Sequence, residues 1–83
     1  MERKEIFEEV ERIIENVTNT DDAIIVENST FADINVDSLD LIEIIVELEK
    51  KFNIDISYLE SEKLQTVGDI VDLVDAKYHN YEG

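Results

Sequence analysis

Seven basic residues against 22 acidic ones give this 83-residue chain a formal charge of −15, with 43 % of its residues hydrophobic. Such a length holds one small domain, covering 1–83, and such a charge rules out nucleic-acid phosphates and anionic lipid as ligands, since both need a basic surface. Cysteine is absent and the single histidine is His79, which excludes disulfides, thiolate metal sites and a histidine zinc centre.

The Met1 end is charged at once, through Glu2, Arg3, Lys4 and Glu5, and no long apolar run follows. Neither a secretory signal nor a membrane span is expected, and cytoplasm is the default location. At about 100° per residue, Ile6, Val10, Ile13, Ile14 and Val17 fall on one stripe with Phe7 at its margin. That spacing predicts a helix over 3–17, ended by turn-forming types at Asn16 and over 18–22. From Thr18 to Asp37 the helical period is missing. Ile24, Ile25 and Val26 make too short a run for a strand, and Phe31 and Ile34 read as anchors pinning a long loop to the core. A loop of about 20 residues is unusual in a compact domain and is more often functional or partly structured.

Residues 37–52 carry the strongest helical pattern. Asp37 is the expected N-cap, Asp40 adds negative charge to the first turn, and Lys50 and Lys51 suit the negative end of the dipole. Leu41, Ile44, Ile45, Leu48 and Phe52 share one arc, the core face, and Asn53 ends the helix. A short turn of helix is expected within 57–63. Thr66, Val67, Gly68 and Asp69 then resemble a capping box, with Asp in the Glu/Gln place. Val67, Ile70, Val71, Val74 and Tyr78 form a last stripe, predicting a helix over 66–78 and a frayed tail over 80–83. The fold class is all-α, a small bundle of three main helices and a short fourth, with a long loop between the first two.

The helix over 37–52 has more apolar residues than a core needs. With Ser38 at 0°, the core arc centres at about 300° and the solvent face at about 120°. Leu39 at about 100° and Val46 at about 80° stand on that solvent face, with Ile42 at its edge at about 40°. Glu43 and Glu47 lie beside them. The plain reading is ordinary scattered surface residues; the sharper one is a docking strip for a partner with a basic rim. Ser38 holds the first helical position, where free N–H groups and the helix dipole favour an anion. An Asp-Ser pair more often serves only as a cap. No general base stands near Ser38 in sequence, so a self-activated nucleophile is not expected. Receipt of a phosphate-linked group from another enzyme stays open.

Asp37-Ser38-Leu39-Asp40, opening an Ile/Leu/Glu-rich helix, resembles the attachment motif of the acyl carrier proteins. Upstream, Ser29-Thr30-Phe31-Ala32-Asp33-Ile34 is similar to the family's approach to that motif. Downstream, Leu48-Glu49-Lys50-Lys51-Phe52-Asn53-Ile54-Asp55-Ile56 and Thr66-Val67-Gly68-Asp69-Ile70 resemble it too, so the likeness runs from Ile6 to Tyr78. The resemblance implies that Ser38 carries 4′-phosphopantetheine, moved from coenzyme A by a phosphopantetheinyl transferase using Mg²⁺. The thiol of that arm would hold acyl groups as thioesters. It implies a monomeric, non-catalytic carrier serving acyl-transferring, condensing and reducing enzymes of fatty-acid or related lipid and polyketide synthesis, all with basic docking surfaces. Asp37, Leu39, Asp40, Ile42, Glu43, Val46 and Glu49 match positions that meet partner enzymes, and Ile56 and Leu64 match positions near the acyl-sequestering cleft. Two residues depart from the pattern. Asn35 stands where the family often has Gly, and Asn tolerates a left-handed backbone better than most residues. Lys50 and Lys51 replace acidic residues common in housekeeping members, which leaves general fatty-acid synthesis and a dedicated pathway both open.

Asp33, Asn35 and Asp37 copy the first three ligand positions of an EF-hand loop. Ser38 then replaces the required Gly and Ile44 the required bidentate Glu, so no dedicated calcium site is expected. Asn16-Val17-Thr18 and Asn28-Ser29-Thr30 match the glycosylation tripeptide; with no secretory signal expected, both are expected to be chance matches. Two alternatives remain: an aminoacyl or peptidyl carrier, and an unmodified acidic helical adaptor docking through Leu39, Ile42 and Val46.

Overall fold

The computed structural model describes residues 2–19 and 24–82, with the backbone alone over 80–82. It contains α1 (Arg3–Thr18), α2 (Ser38–Phe52), α3 (Tyr58–Glu62) and α4 (Val67–Glu82), in the all-α order expected. No strand occurs among the described residues, and no described helix is long and apolar enough to cross a membrane. Part of the expected 18–37 loop, residues 20–23, lies outside the described residues.

α1, α2 and α4 pack around one core. Ile6, Val10 and Ile14 of α1 meet Ile44, Ile45, Leu48 and Phe52 of α2 and Val67, Ile70, Val71 and Val74 of α4. These are the faces predicted from helical spacing, with Phe7, Ile13, Val17, Leu41 and Tyr78 half-buried at the margins. Segments without a helical period add Ile25, Ile34, Val36, Ile54 and Ile56 to the same core. Phe31 packs against it as the second loop anchor.

Local chemistry sets the helix ends. α1 opens on a reciprocal box in which Glu5 Oε1 accepts the N–H of Glu2 at 2.9 Å. It closes at Asn19, whose left-handed backbone (φ 57°) lets its N–H reach Glu15 O. Asn53 closes α2 in the same way, at φ 56°. The expectation that the last helix stops at 78 is corrected, because the backbone stays helical to Glu82; Gly83 of the expected frayed tail lies outside the described residues. Two contacts tie this end down. The Tyr78 ring meets Phe52 edge-on at 6.1 Å, and His79 Nε2 stands 3.0 Å from Asp75 Oδ1 one turn earlier.

The loop before α2 is held by main-chain atoms. Ser29 O accepts the N–H of Val67 at 3.0 Å, and Glu27 O accepts that of Gly68 at 2.8 Å. Two of the N–H groups that a helix start leaves without partners are thereby satisfied. A Cβ at Gly68 would stand 3.0 Å from Glu27 O, so glycine permits the close approach. Thr30 and Thr66 form an isolated antiparallel bridge beside these bonds. Arg3 adds ion pairs to Glu27 and Asp72, each at 2.6 Å.

Candidate functional site

The turn into α2 is built by residues whose side chains grip their own backbone. Thr30 and Asp33 exchange hydrogen bonds, with Asp33 Oδ2 accepting the Thr30 N–H at 3.1 Å and Thr30 Oγ1 accepting that of Asp33 at 3.2 Å. Phe31 O accepts the N–H of Val36 at 2.8 Å across this turn, and Asn35 sits in the left-handed region at φ 59°. That is the conformation for which Asn substitutes best for Gly. Val36 drops into the core and Asp37 becomes the N-cap of α2.

Asp37 Oδ1 accepts the Asp40 N–H at 2.8 Å, and Asp40 Oδ2 accepts that of Asp37 at 3.4 Å. Both carboxylates are thus partly engaged at the helix start. Ser38, the first residue of α2, is exposed, and the N–H groups of Ser38 and Leu39 have no acceptor among the described residues. An outward hydroxyl beside free N–H groups suits a phosphate ester.

Beside Ser38 opens a cleft of about 550 Å³ between α2 and α3. Leu41, Ile42, Ile45 and Val46 form its α2 wall, while Ile56, Ser57, Tyr58, Ser61 and Glu62 form the other. Its lining is chiefly apolar, and Ser38 stands at its rim. Helical spacing put Ile42 and Val46 on an outward face; they are exposed and also line this cleft, because α3 lies alongside that edge of α2. Leu39 is 71 % exposed and belongs to the outward strip alone. Glu43 and Glu47 line a groove against Ile13, Asn16 and Val17 of α1, on the opposite flank.

The two residues expected near the cleft divide. Ile56 is buried in the cleft wall, whereas Leu64 packs on the core and lines a separate groove with Leu73 and Asp72. Glu49 turns its carboxylate inward, where Oε2 accepts the Ile56 N–H at 2.9 Å. Lys51 pairs with Glu9 of α1 at 3.1 Å, and Lys50 remains exposed.

Sequence reasoning did not anticipate the cleft contributions of Ser57, Tyr58, Ser61 and Glu62. Alternation over Ile54-Asp55-Ile56, two apolar residues around a polar one, is the available signal for an extended connector with both isoleucines inward. α3 itself holds no buried residue and leaves no apolar stripe to read. Its order comes from Ser57 Oγ, which accepts the Glu60 N–H at 3.2 Å, and from the Glu60–Lys77 pair at 2.9 Å. The Ser57 N–H, together with Lys77, holds the Glu60 carboxyl well below the usual range, at about 2.

The chain matches the family model of the phosphopantetheine attachment site over residues 8–74. It is 40 % identical over 78 residues to an acyl carrier protein of Thermosynechococcus vestitus, spanning 93 % of this chain and 96 % of that one. The crystal structure of an acyl carrier protein from Thermotoga maritima shares the fold with a TM-score of 0.87 at 28 % identity, covering 98 % of this chain and 95 % of that one. The solution structure of a holo acyl carrier protein from Geobacter metallireducens gives a TM-score of 0.82 at 32 % identity, covering 90 % and 87 %.

Proposed function

The chain belongs to the acyl carrier protein family, whose members are carriers bearing covalent 4′-phosphopantetheine, and on that premise we propose that Ser38 is the attachment residue. The observation that carries this reading is the place of Ser38: exposed, first in α2 and on the rim of the apolar cleft. Bound there, the group supplies a flexible arm ending in a thiol that holds acyl chains as thioesters. The chain's own residues supply the setting. Asp37 and Asp40 fix the helix end, the N–H groups of Ser38 and Leu39 would be the donors available to the group's phosphate, and Leu41, Ile45 and Ile56 offer a surface that excludes water.

His79 is paired with Asp75 on α4 and takes no part at Ser38. Attachment is therefore the work of a phosphopantetheinyl transferase acting with coenzyme A. Leu39, Ile42 and Val46, exposed along α2, give that enzyme and the acyl-transferring, condensing and reducing enzymes an apolar strip. Asp37, Asp40 and Glu43 steer their basic surfaces toward it. Five aliphatic side chains in the cleft favour a fatty-acid or related lipid or polyketide cargo over an aminoacyl or peptidyl one.

Peptide mapping after incubation with coenzyme A, Mg²⁺ and a transferase should place one phosphopantetheine on Ser38, and Ser38→Ala should take up none. Ser57 and Ser61 are the informative rivals, because both line the same cleft. Modification of either, or of the Ser38→Ala protein, would overturn the assignment.

A further inference from the structure

One hydrogen bond ties α2 to the far wall of the cleft. Glu49 lies at about 20° from Ser38 around α2, on the flank that carries Ile42. Its Oε2 accepts the N–H of Ile56 at 2.9 Å, and its main-chain oxygen accepts the N–H of Ile54 at 3.2 Å. One residue thus closes α2 with its backbone and holds the following connector with its side chain. Ile56 is 8 % exposed in the cleft wall, and the next residue, Ser57, caps α3. Removing the carboxylate would leave a half-buried N–H without an acceptor, which is costly enough to move the connector.

We infer that Glu49 is the positioning residue of the cleft, its carboxylate holding Ile56 and thereby the wall that shelters the tethered group. This rests on the reading of Ser38 and the cleft given above. It assigns Glu49 a role that depends on reach, not on charge displayed to a partner. Two conservative variants separate these roles. Glu49→Gln keeps the length and a carbonyl acceptor but loses the charge. Glu49→Asp keeps the charge but draws the oxygens back by about 1.5 Å.

The experiment is amide hydrogen exchange at Ile56 on the unmodified protein, followed by hydroxylamine cleavage of the octanoyl-loaded protein. Glu49→Asp should speed Ile56 exchange by at least about tenfold, whereas Glu49→Gln should stay within about threefold of the parent. Octanoyl release should follow the same order, fast for Asp and near parental for Gln. Exchange at Leu48, in the core, should be unchanged in both, which separates a moved wall from a destabilised bundle. A fast Gln variant with a parental Asp variant would overturn the inference, as would parental exchange in both. Should the parent protein fail to load at Ser38, the attachment reading fails, while exchange at Ile56 still decides the role of Glu49.

Discussion

Among the described residues, α4 buries Val67, Ile70, Val71 and Val74 completely, whereas α3 buries none. The first is held by apolar area that cannot be exchanged for water without cost. The second is held by a cap, an ion pair and the connector before it, contacts that water replaces at little penalty. Ser38 and its cleft lie on the seam between α3 and α2, and α2 shares with α4 the buried core. Burial and polar tethering are thus separated within 83 residues, the first fixing the bundle and the second holding one wall of the cleft.

The largest effect expected from this contrast is on stability. Leu48→Ala, at a fully buried position, should cost about 2–5 kcal/mol, while Leu59→Ala, on α3 and 72 % exposed, should stay within about 0.5 kcal/mol. Urea unfolding of the pair checks this, and equal losses would break the contrast. At the seam, Asp37→Ala removes the cap of α2 and should cost about 0.5–2 kcal/mol. It should also slow transferase modification beyond what the melting shift explains, because the helix end that presents Ser38 loosens.

The smallest effect concerns pH and sharpens the description of α3. The Glu60 carboxyl is held down to about 2, first by the Ser57 N–H and then by Lys77. A lowered carboxyl contributes stability that is present above the ordinary Glu range and is lost as pH falls toward about 2. Glu11 runs the other way: burial, then the charges of Glu15 and Glu8, raises its carboxyl, so its penalty is relieved by acid. Carboxyl NMR titration should find Glu60 ionised well below, and Glu11 above, the ordinary range. A Glu60 midpoint at the ordinary value would mean that α3 is not tethered as described.

Much of the bundle was legible because burial repeats with the helical period. The stripes of α1, α2 and α4, and the capping residues Asp37 and Thr66, needed only local sequence. Ser38 is legible locally only as the first residue of a capped helix with no base beside it; the assignment of phosphopantetheine to it comes from the resemblance and is the proposal made above. The cleft was less legible. Its second wall comes from a five-residue helix and a connector whose path depends on the Glu49–Ile56 bond, seven residues apart and outside any periodic pattern. Helical angles turn Ile42 and Val46 toward solvent but say nothing of what lies alongside, so the cleft they line is not legible from them. The last turn of α4 lies beyond the apolar stripe that ends at Tyr78, so no burial pattern marks it.

The start of α4 is secured by carbonyl oxygens of Glu27 and Ser29, atoms that every amino acid brings. No exchange of side chain at 27 can delete that acceptor. On the receiving side the constraint is narrower: proline at 67 or 68 would remove a donor, and a larger residue at 68 would crowd Glu27 O. Mutational drift is therefore asymmetric across this contact. The loop can change its surface chemistry from one descendant to the next while the register of α4 stays inherited.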